Sequence, residues 1–250
     1  MQRLMSDPVR HPFKLLNMQY RMHPEISLYP NQTFYKGELQ DSQYISKSHS
    51  VVDQLKTHHR RNLWFETYLF IDIGDGVEER ERGESGSLRN IKEADGICTI
   101  IGDHILPSKS LPFMSIVVLS FYSAQVRYIQ KELHSKGLTS STNWSVRAMT
   151  VDSFQGSEAD IVLISFVRSN RDNSVGFLKE FQRLNVALTR ARHMLLLLGS
   201  SSTMEHCGMP NLRDLIVDAR SRGRLINFPV NSTKKTRFTS ANSAKKSRFT

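Results

Sequence analysis

The chain has 250 residues, 39% of them hydrophobic and 23% charged, so it can bury a sizeable core. Lys and Arg outnumber Asp and Glu by 34 to 24, a formal charge of +10. Two cysteines, Cys98 and Cys207, exclude a disulfide-stapled scaffold. The longest nearly unbroken apolar stretch, about 113–122, is far short of the roughly 18 residues a membrane span requires. Residues 1–14 lack an apolar signal core, so the expectation is a soluble intracellular chain away from the membrane.

Taken in chain order, residues 23–35 read as a helix, with Pro24 in its first turn and Pro30 interrupting it. From about 40 to 66 the pattern weakens into a loop or insertion. Tyr-Leu-Phe-Ile-Asp-Ile at 68–73 reads as a buried strand. The charge-dense run 78–84 reads as a solvated loop. Residues 90–106 carry Ile91, Ala94, Cys98, Ile101 and Ile105 on one helical stripe, which makes Cys98 a packing residue.

The following segments alternate. Strands are expected at 114–120, 146–151, 160–167 and 194–199, and helices at 123–136, 181–191 and 211–221. Apolar strands separated by helices mean an α/β domain, a parallel sheet covered on both faces. That domain occupies 1–228, and 229–250 reads as a flexible basic tail. The tail holds six of the positive charges, and Lys-Lys-Thr-Arg-Phe-Thr at 234–239 recurs as Lys-Lys-Ser-Arg-Phe-Thr at 245–250. Such a segment cannot bury enough to order itself, so a disordered basic arm is expected.

Three polar clusters could carry chemistry, and in open α/β sheets the place to look is beyond the carboxyl ends of the strands. In Gln19-Tyr20-Arg21-Met22-His23-Pro24, a guanidinium could fork onto a phosphate and Tyr20 could stack on a base. Read alone, Arg21 serves equally as a surface ion-pair partner. In 150–160, Thr150 and Ser153 could donate to phosphate oxygens, Gly156 permits an unusual backbone angle, and Glu158 could accept from a sugar hydroxyl. Read alone, this is a polar turn with Asp152 as a helix cap. In 183–192, Arg190 and Arg192 close a helix, where cations are favoured by the dipole. The adjacent pairs His58-His59 and His206-Cys207 lack zinc-ligand spacing, so no metal site is expected.

Together the clusters resemble a specific family. LNMQYRMHPEISLYPNQTFYKGEL (16–39), TVDSFQGSEADIVLISFVRSN (150–170) and GFLKEFQRLNVALTRAR (176–192) are similar to the second-half motifs of superfamily 1 RNA/DNA helicases of the nonsense-mediated-decay and senataxin-like group. IVVLSFYSAQV (116–126) resembles that family's strand followed by Tyr-x-x-Gln, and SLRNIKEAD (87–95) its Ser-x-x-Asn-x-x-Glu-Ala helix start. The resemblance implies a three-layer RecA-like fold of the P-loop NTPase type, here the C-terminal RecA-like helicase domain.

It also implies roles. Arg21 and Arg190 match the family's two arginines that reach the ATP γ-phosphate from the second domain, with Arg190 the arginine finger. Gln155, Gly156 and Glu158 fall among nucleotide contacts, with Glu158 on the ribose, and Tyr20 borders the base. Ser120, Tyr122, Thr150 and Ser153 match positions that track the nucleic-acid backbone. Phe121 stands where a proline is common in the family.

No G-x-x-x-x-G-K-S/T loop occurs, and the pair Gly-Lys is absent from the chain. No Asp-Glu pair follows a strand to hold Mg²⁺, so the ligands for ATP-bound Mg²⁺ are expected from a first RecA-like domain upstream in cis. The chain then reads as the second half of an ATP-dependent helicase acting on single-stranded RNA or DNA, or an RNA–DNA hybrid, and inactive alone. It would be a fragment, an incomplete gene model or a degenerate paralogue. The alternative is a non-catalytic nucleic-acid-binding or regulatory module, which the basic arm favours. The Lys-Lys-x-Arg units read as a phosphate-binding arm or a nuclear address, so a nuclear location is expected ahead of a cytoplasmic one.

Overall fold

The computed structural model describes residues 16–47, 66–81, 86–106 and 113–228. The basic tail, the His58-His59 pair and most of the 40–66 insertion lie outside the described residues.

A two-strand parallel ribbon comes first, β1 (Met18–Gln19) against β2 (Gln40–Asp41), with helix α1 (Pro24–Phe34) between them and α2 (Gln43–Lys47) after. Next come β3 (Tyr68–Asp72) and an antiparallel hairpin of β4 (Glu78–Arg80) and β5 (Leu88–Asn90). Helix α3 (Ile91–Thr99) runs on into a π-helical segment, Ile100–Ile105. Then follow β6 (Met114–Ser120), α4 (Ser123–Ser135), β7 (Trp144–Thr150) and β8 (Ala159–Ser165). A 3₁₀ turn, Gly176–Lys179, precedes α5 (Phe181–Leu188), β9 (Ala191–Gly199), α6 (Ser201–His206), α7 (Pro210–Ser221) and β10 (Leu225–Asn227).

Six strands form one sheet in the order β10-β3-β9-β8-β6-β7, and every pairing is parallel. Successive strand residues point to opposite faces, so each strand feeds two cores. Phe70, Val117, Leu119, Val162, Ile164, Leu195 and Leu197 pack with Ile26 of α1, Leu184 of α5 and Leu215 of α7. Leu69, Ile71, Ile116, Val118, Leu163 and Leu196 pack with Ile97 of α3 and Ile129 of α4. Helices cover both faces, which is the expected three-layer arrangement. No described helix is long and apolar enough to cross a membrane.

Several local expectations are corrected. Helix α1 is continuous through Pro30. Burying Ile26 and Tyr29 on its inner face outweighs the one backbone bond that proline forfeits. The charged run at 78–84 is partly the hairpin strand β4 rather than loop throughout. Strand β9 begins at Ala191, ahead of the apolar run, because Ala191 is itself buried in the core and pairs with Ala159, while Arg192 after it is exposed. Cys98 is buried in the core as expected, and burial pushes its thiol up to about 11.

Phe166, fully buried just beyond β8, stacks on Phe70 at 6.1 Å and on Phe121 at 6.0 Å. Phe121, at the position where proline was the family expectation, is thus a core residue. Phe166→Ala should cost about 3–5 kcal/mol by urea unfolding. A loss below about 1 kcal/mol would mean that the stack is not holding the sheet's carboxyl edge together.

Candidate functional site

The candidate side chains gather at opposite edges of the sheet. At the amino edge, Ala159 and Ala191 open β8 and β9 in register, and the Ala159 amide donates to the Arg190 carbonyl at 3.1 Å. Their predecessors Glu158 and Arg190 are therefore neighbours. Arg21 arrives from the turn after β1. The Gln19 side chain holds that turn, accepting from the Arg21 and Met22 amides at 2.9 Å each. The His23 amide donates to the Arg192 carbonyl at 2.9 Å, stitching the turn to β9.

Arg21 and Arg190 thus converge. Arg21 donates through Nε to Glu158 and through Nη1 to the Thr189 carbonyl at 3.1 Å. Arg190 donates through Nε to Val186 O at 2.8 Å, through Nη1 to Ser157 O at 3.1 Å and through Nη2 to Thr189 Oγ1 at 3.1 Å. Burial and the charge on Arg21 lower the pKa of Arg190 below its ordinary value. Glu158 takes Arg21 on one oxygen and Arg192 on the other, with Arg192 Nη2 at 2.5 Å. These bonds, Arg192's first, hold its carboxyl below the usual range. Arg192 enters this cluster as a partner of Glu158, which its reading as a helix cap did not show.

A cavity of about 330 Å³ opens beside the cluster, lined by Tyr20, Arg21, His23, Tyr44, Ile45, Arg192 and His193. Tyr20 is 68% exposed at its rim. Gln155 and Gly156 are exposed on the preceding turn and line neither this cavity nor the groove described next. Gly156 has φ +81° with open space where a Cβ would sit, so its glycine serves the turn's backbone angle.

At the carboxyl edge, Ser120 ends β6 opposite Thr150 of β7 and Ser165 of β8. A groove of about 810 Å³ runs there, its lining including Arg80, Phe121, Tyr122, Thr150, Arg168 and Phe177. Thr150 donates to the exposed Ser153 hydroxyl at 2.9 Å. Ser120 is fully buried, donating to Ser165 O and accepting from the Tyr122 amide, so it supports the strand end from inside. Tyr122 is 3% exposed, and its hydroxyl receives Arg168 at 3.3 Å.

The clusters do not all lie beyond the carboxyl ends, as the sheet rule suggested. The segment from Thr150 to Glu158 runs the height of the sheet, so it begins at one edge and finishes at the other. Arg190 leads into β9 and so belongs to that strand's amino end. Sequence reasoning also missed a buried polar network behind the groove. Glu93, fully buried, accepts from Ser165 Oγ at 2.6 Å and from the Val167 amide at 2.9 Å. Gln125 donates to Ser165 Oγ and to the Asn90 carbonyl, and accepts from the Asn90 amide. Both family-like segments, Tyr-x-x-Gln and Ser-x-x-Asn-x-x-Glu-Ala, meet in this one cluster. Desolvation pushes the Glu93 carboxyl up to about 8 against the lowering effect of its hydrogen bonds.

A family model described as an AAA domain matches residues 1–202. "Probable helicase senataxin" of Homo sapiens is 34% identical over 233 residues, covering 90% of this chain and 8% of that protein. "Probable helicase MAGATAMA 3" of Arabidopsis thaliana is 32% identical, covering 89% and 26%. "Regulator of nonsense transcripts 1 homolog", also of Arabidopsis thaliana, is 31% identical, covering 88% and 17%. The chain belongs to the superfamily 1 helicases of the senataxin and nonsense-mediated-decay group. This helicase domain spans about a quarter or less of each of these three relatives.

Between pH 4.5, the ordinary value for glutamate, and about 8, folded Glu93 holds a proton that the unfolded chain releases. The Glu93 contribution to stability should therefore decline as pH rises through that window. Unfolding midpoints of wild type and Glu93→Gln, measured at several pH values, should show wild type losing ground to the variant with rising pH. A constant difference would contradict the raised value.

Proposed function

We propose that this helicase domain supplies the arginine wall for hydrolysis of a nucleoside triphosphate whose phosphates are bound by another RecA-like domain, and that its carboxyl-edge groove follows a nucleic-acid backbone. The convergence of Arg21 and Arg190 at one edge carries the reading. Two guanidiniums that feel each other's charge gain when a polyanion enters between or in front of them. Arg190 already has three N–H groups bonded to neighbouring atoms, so little reorganisation accompanies charge build-up on a transferring phosphoryl group. Arg21 exchanges between Glu158 and phosphate, and the freed Glu158 carboxylate can accept from a ribose hydroxyl. Tyr20, at the cavity rim, offers its ring to the base.

The described residues contain no group of three or more His, Cys, Asp or Glu that could hold a metal ion. Glu158, satisfied by two arginines, does not fit a cation. The Mg²⁺ that accompanies ATP is therefore assigned to the nucleotide and the other domain.

At the groove, Thr150 and Ser153 donate to backbone phosphates, while Ser120 and Tyr122 set the shape of the floor. Such contacts do not read base identity. The basic tail adds phosphate affinity in the same sense, and its Lys-Lys-x-Arg units suit a nuclear address.

Purified chain alone should show almost no nucleic-acid-stimulated ATP hydrolysis, and robust turnover would defeat the proposal. Fused behind a phosphate-loop domain of a senataxin-like relative, it should gain activity. In that fusion Arg190→Ala should lower kcat by about a thousandfold or more, with nucleic-acid affinity unchanged. Equal rates for wild type and Arg190→Ala would leave the wall without a catalytic part.

A further inference from the structure

Beyond β8 the backbone does something a valine resists. Val167 has φ +72° and is fully buried. A β-branched residue in the left-handed region is strained and persists only where its surroundings impose it. Those surroundings are specific here. The Val167 amide donates to Glu93 Oε2 at 2.9 Å, and the Val167 carbonyl accepts from Asn90 Nδ2 at 3.2 Å. The residue is gripped on both sides by the first turn of α3, since Asn90 also caps that helix by accepting from the Glu93 amide at 3.2 Å.

The next residue is Arg168, 8% exposed, whose Nε donates to Glu78 at 2.9 Å and whose Nη1 reaches the Tyr122 hydroxyl. It lies so close beneath Gly176 that a Cβ there would meet Arg168 Nη1 at 2.3 Å. Arg168, Tyr122 and Gly176 all line the groove. An ordinary extended φ at Val167 would turn Arg168 away from both partners and collapse that floor.

We propose that Glu93 is a positioning residue for the carboxyl-edge groove: acting through the left-handed Val167, it holds Arg168 under Tyr122 and Gly176 and so keeps the groove in the shape that takes a nucleic-acid strand. Glu93 is not a contact residue, being fully buried. Its need for one acceptor oxygen on Val167, rather than for a charge, distinguishes it from the arginines of the other edge. Its Oε1 has no hydrogen-bond partner among the described residues, so Oε2 alone makes Glu93's share of the grip. The functional half of this proposal rests on the nucleic-acid reading of the groove given above.

The test uses the full chain and three variants, Glu93→Leu, Glu93→Gln and the double variant Glu93→Leu/Val167→Gly. Hydrogen exchange at the amides of 167–178 reads the floor, and fluorescence anisotropy with a labelled single-stranded oligonucleotide reads binding, both well below the unfolding temperature. Glu93→Leu should speed exchange across 167–178 and weaken the oligonucleotide by about tenfold or more. Glu93→Gln, which retains the acceptor, should stay within about threefold of wild type in affinity. The double variant should recover much of the lost affinity, because glycine adopts a positive φ without strain. A residue that merely fills the core would not be rescued in this way. Unchanged exchange in Glu93→Leu, or failure of both Glu93→Gln and the double variant to bind better than Glu93→Leu, overturns the proposal. If wild type itself does not bind oligonucleotide while Glu93→Leu still loosens 167–178, the groove reading falls and the functional half of the proposal with it.

Discussion

Two guanidiniums on one wall repel each other, and the amino edge of this domain is built around containing that repulsion. The register that sets Ala159 beside Ala191 brings Arg190 and Glu158 together, and the β1 turn adds Arg21. Three backbone carbonyls, those of Ser157, Val186 and Thr189, share the guanidinium protons. Glu158 pairs with both Arg21 and Arg192, leaving a net positive charge among the three, and makes no ion pair with Arg190, whose pKa is lowered. The amino edge thus keeps one guanidinium, that of Arg190, partly buried beside the charge of Arg21.

The carboxyl edge solves the opposite problem. There the charges are paired, Arg168 with Glu78 and Arg183 with Asp152, and what is controlled is shape. Asn90, Gln125, Ser165 and Glu93 are buried and hydrogen-bonded to one another, with only the Glu93 Oε1 left without a partner among the network's side-chain atoms. A buried network of this kind is rigid only when its members are paired. Its product is a single backbone conformation at Val167 and a fixed place for Arg168. One edge stores charge and the other stores geometry.

Legibility differed between these parts for physical reasons. The central strands announce themselves because a sheet covered on both faces needs continuous apolar runs. The hairpin of β4 and β5 does not, since each strand is three residues long and carries the charged Glu78, Glu79, Arg80 and Arg89 in place of an apolar run. Strand β10 is three residues long at the sheet's edge and leaves too short a pattern to read. The meeting of Arg21 and Arg190 was implied by motif resemblance alone; residue patterning could not show it, because it depends on the β8–β9 register and on the Gln19-held turn after β1. Glu93 was hidden by its type: a glutamate in the first turn of a helix reads as a surface residue favoured by the dipole, and only its burial shows otherwise.

The segment joining Thr150 to Glu158 has one more consequence. Near its start Asp152 is clamped by Arg183, with Nη2 at 2.6 Å, and near its end Ser157 is held by Arg190. Arg183 lies in α5, and Arg190 follows directly after that helix. Eight helical residues make a rod about 12 Å long, and the segment is pinned to it at both extremities. Tilting that rod carries both ends of the segment with it, so the amino and carboxyl edges of the sheet are mechanically linked through one short helix.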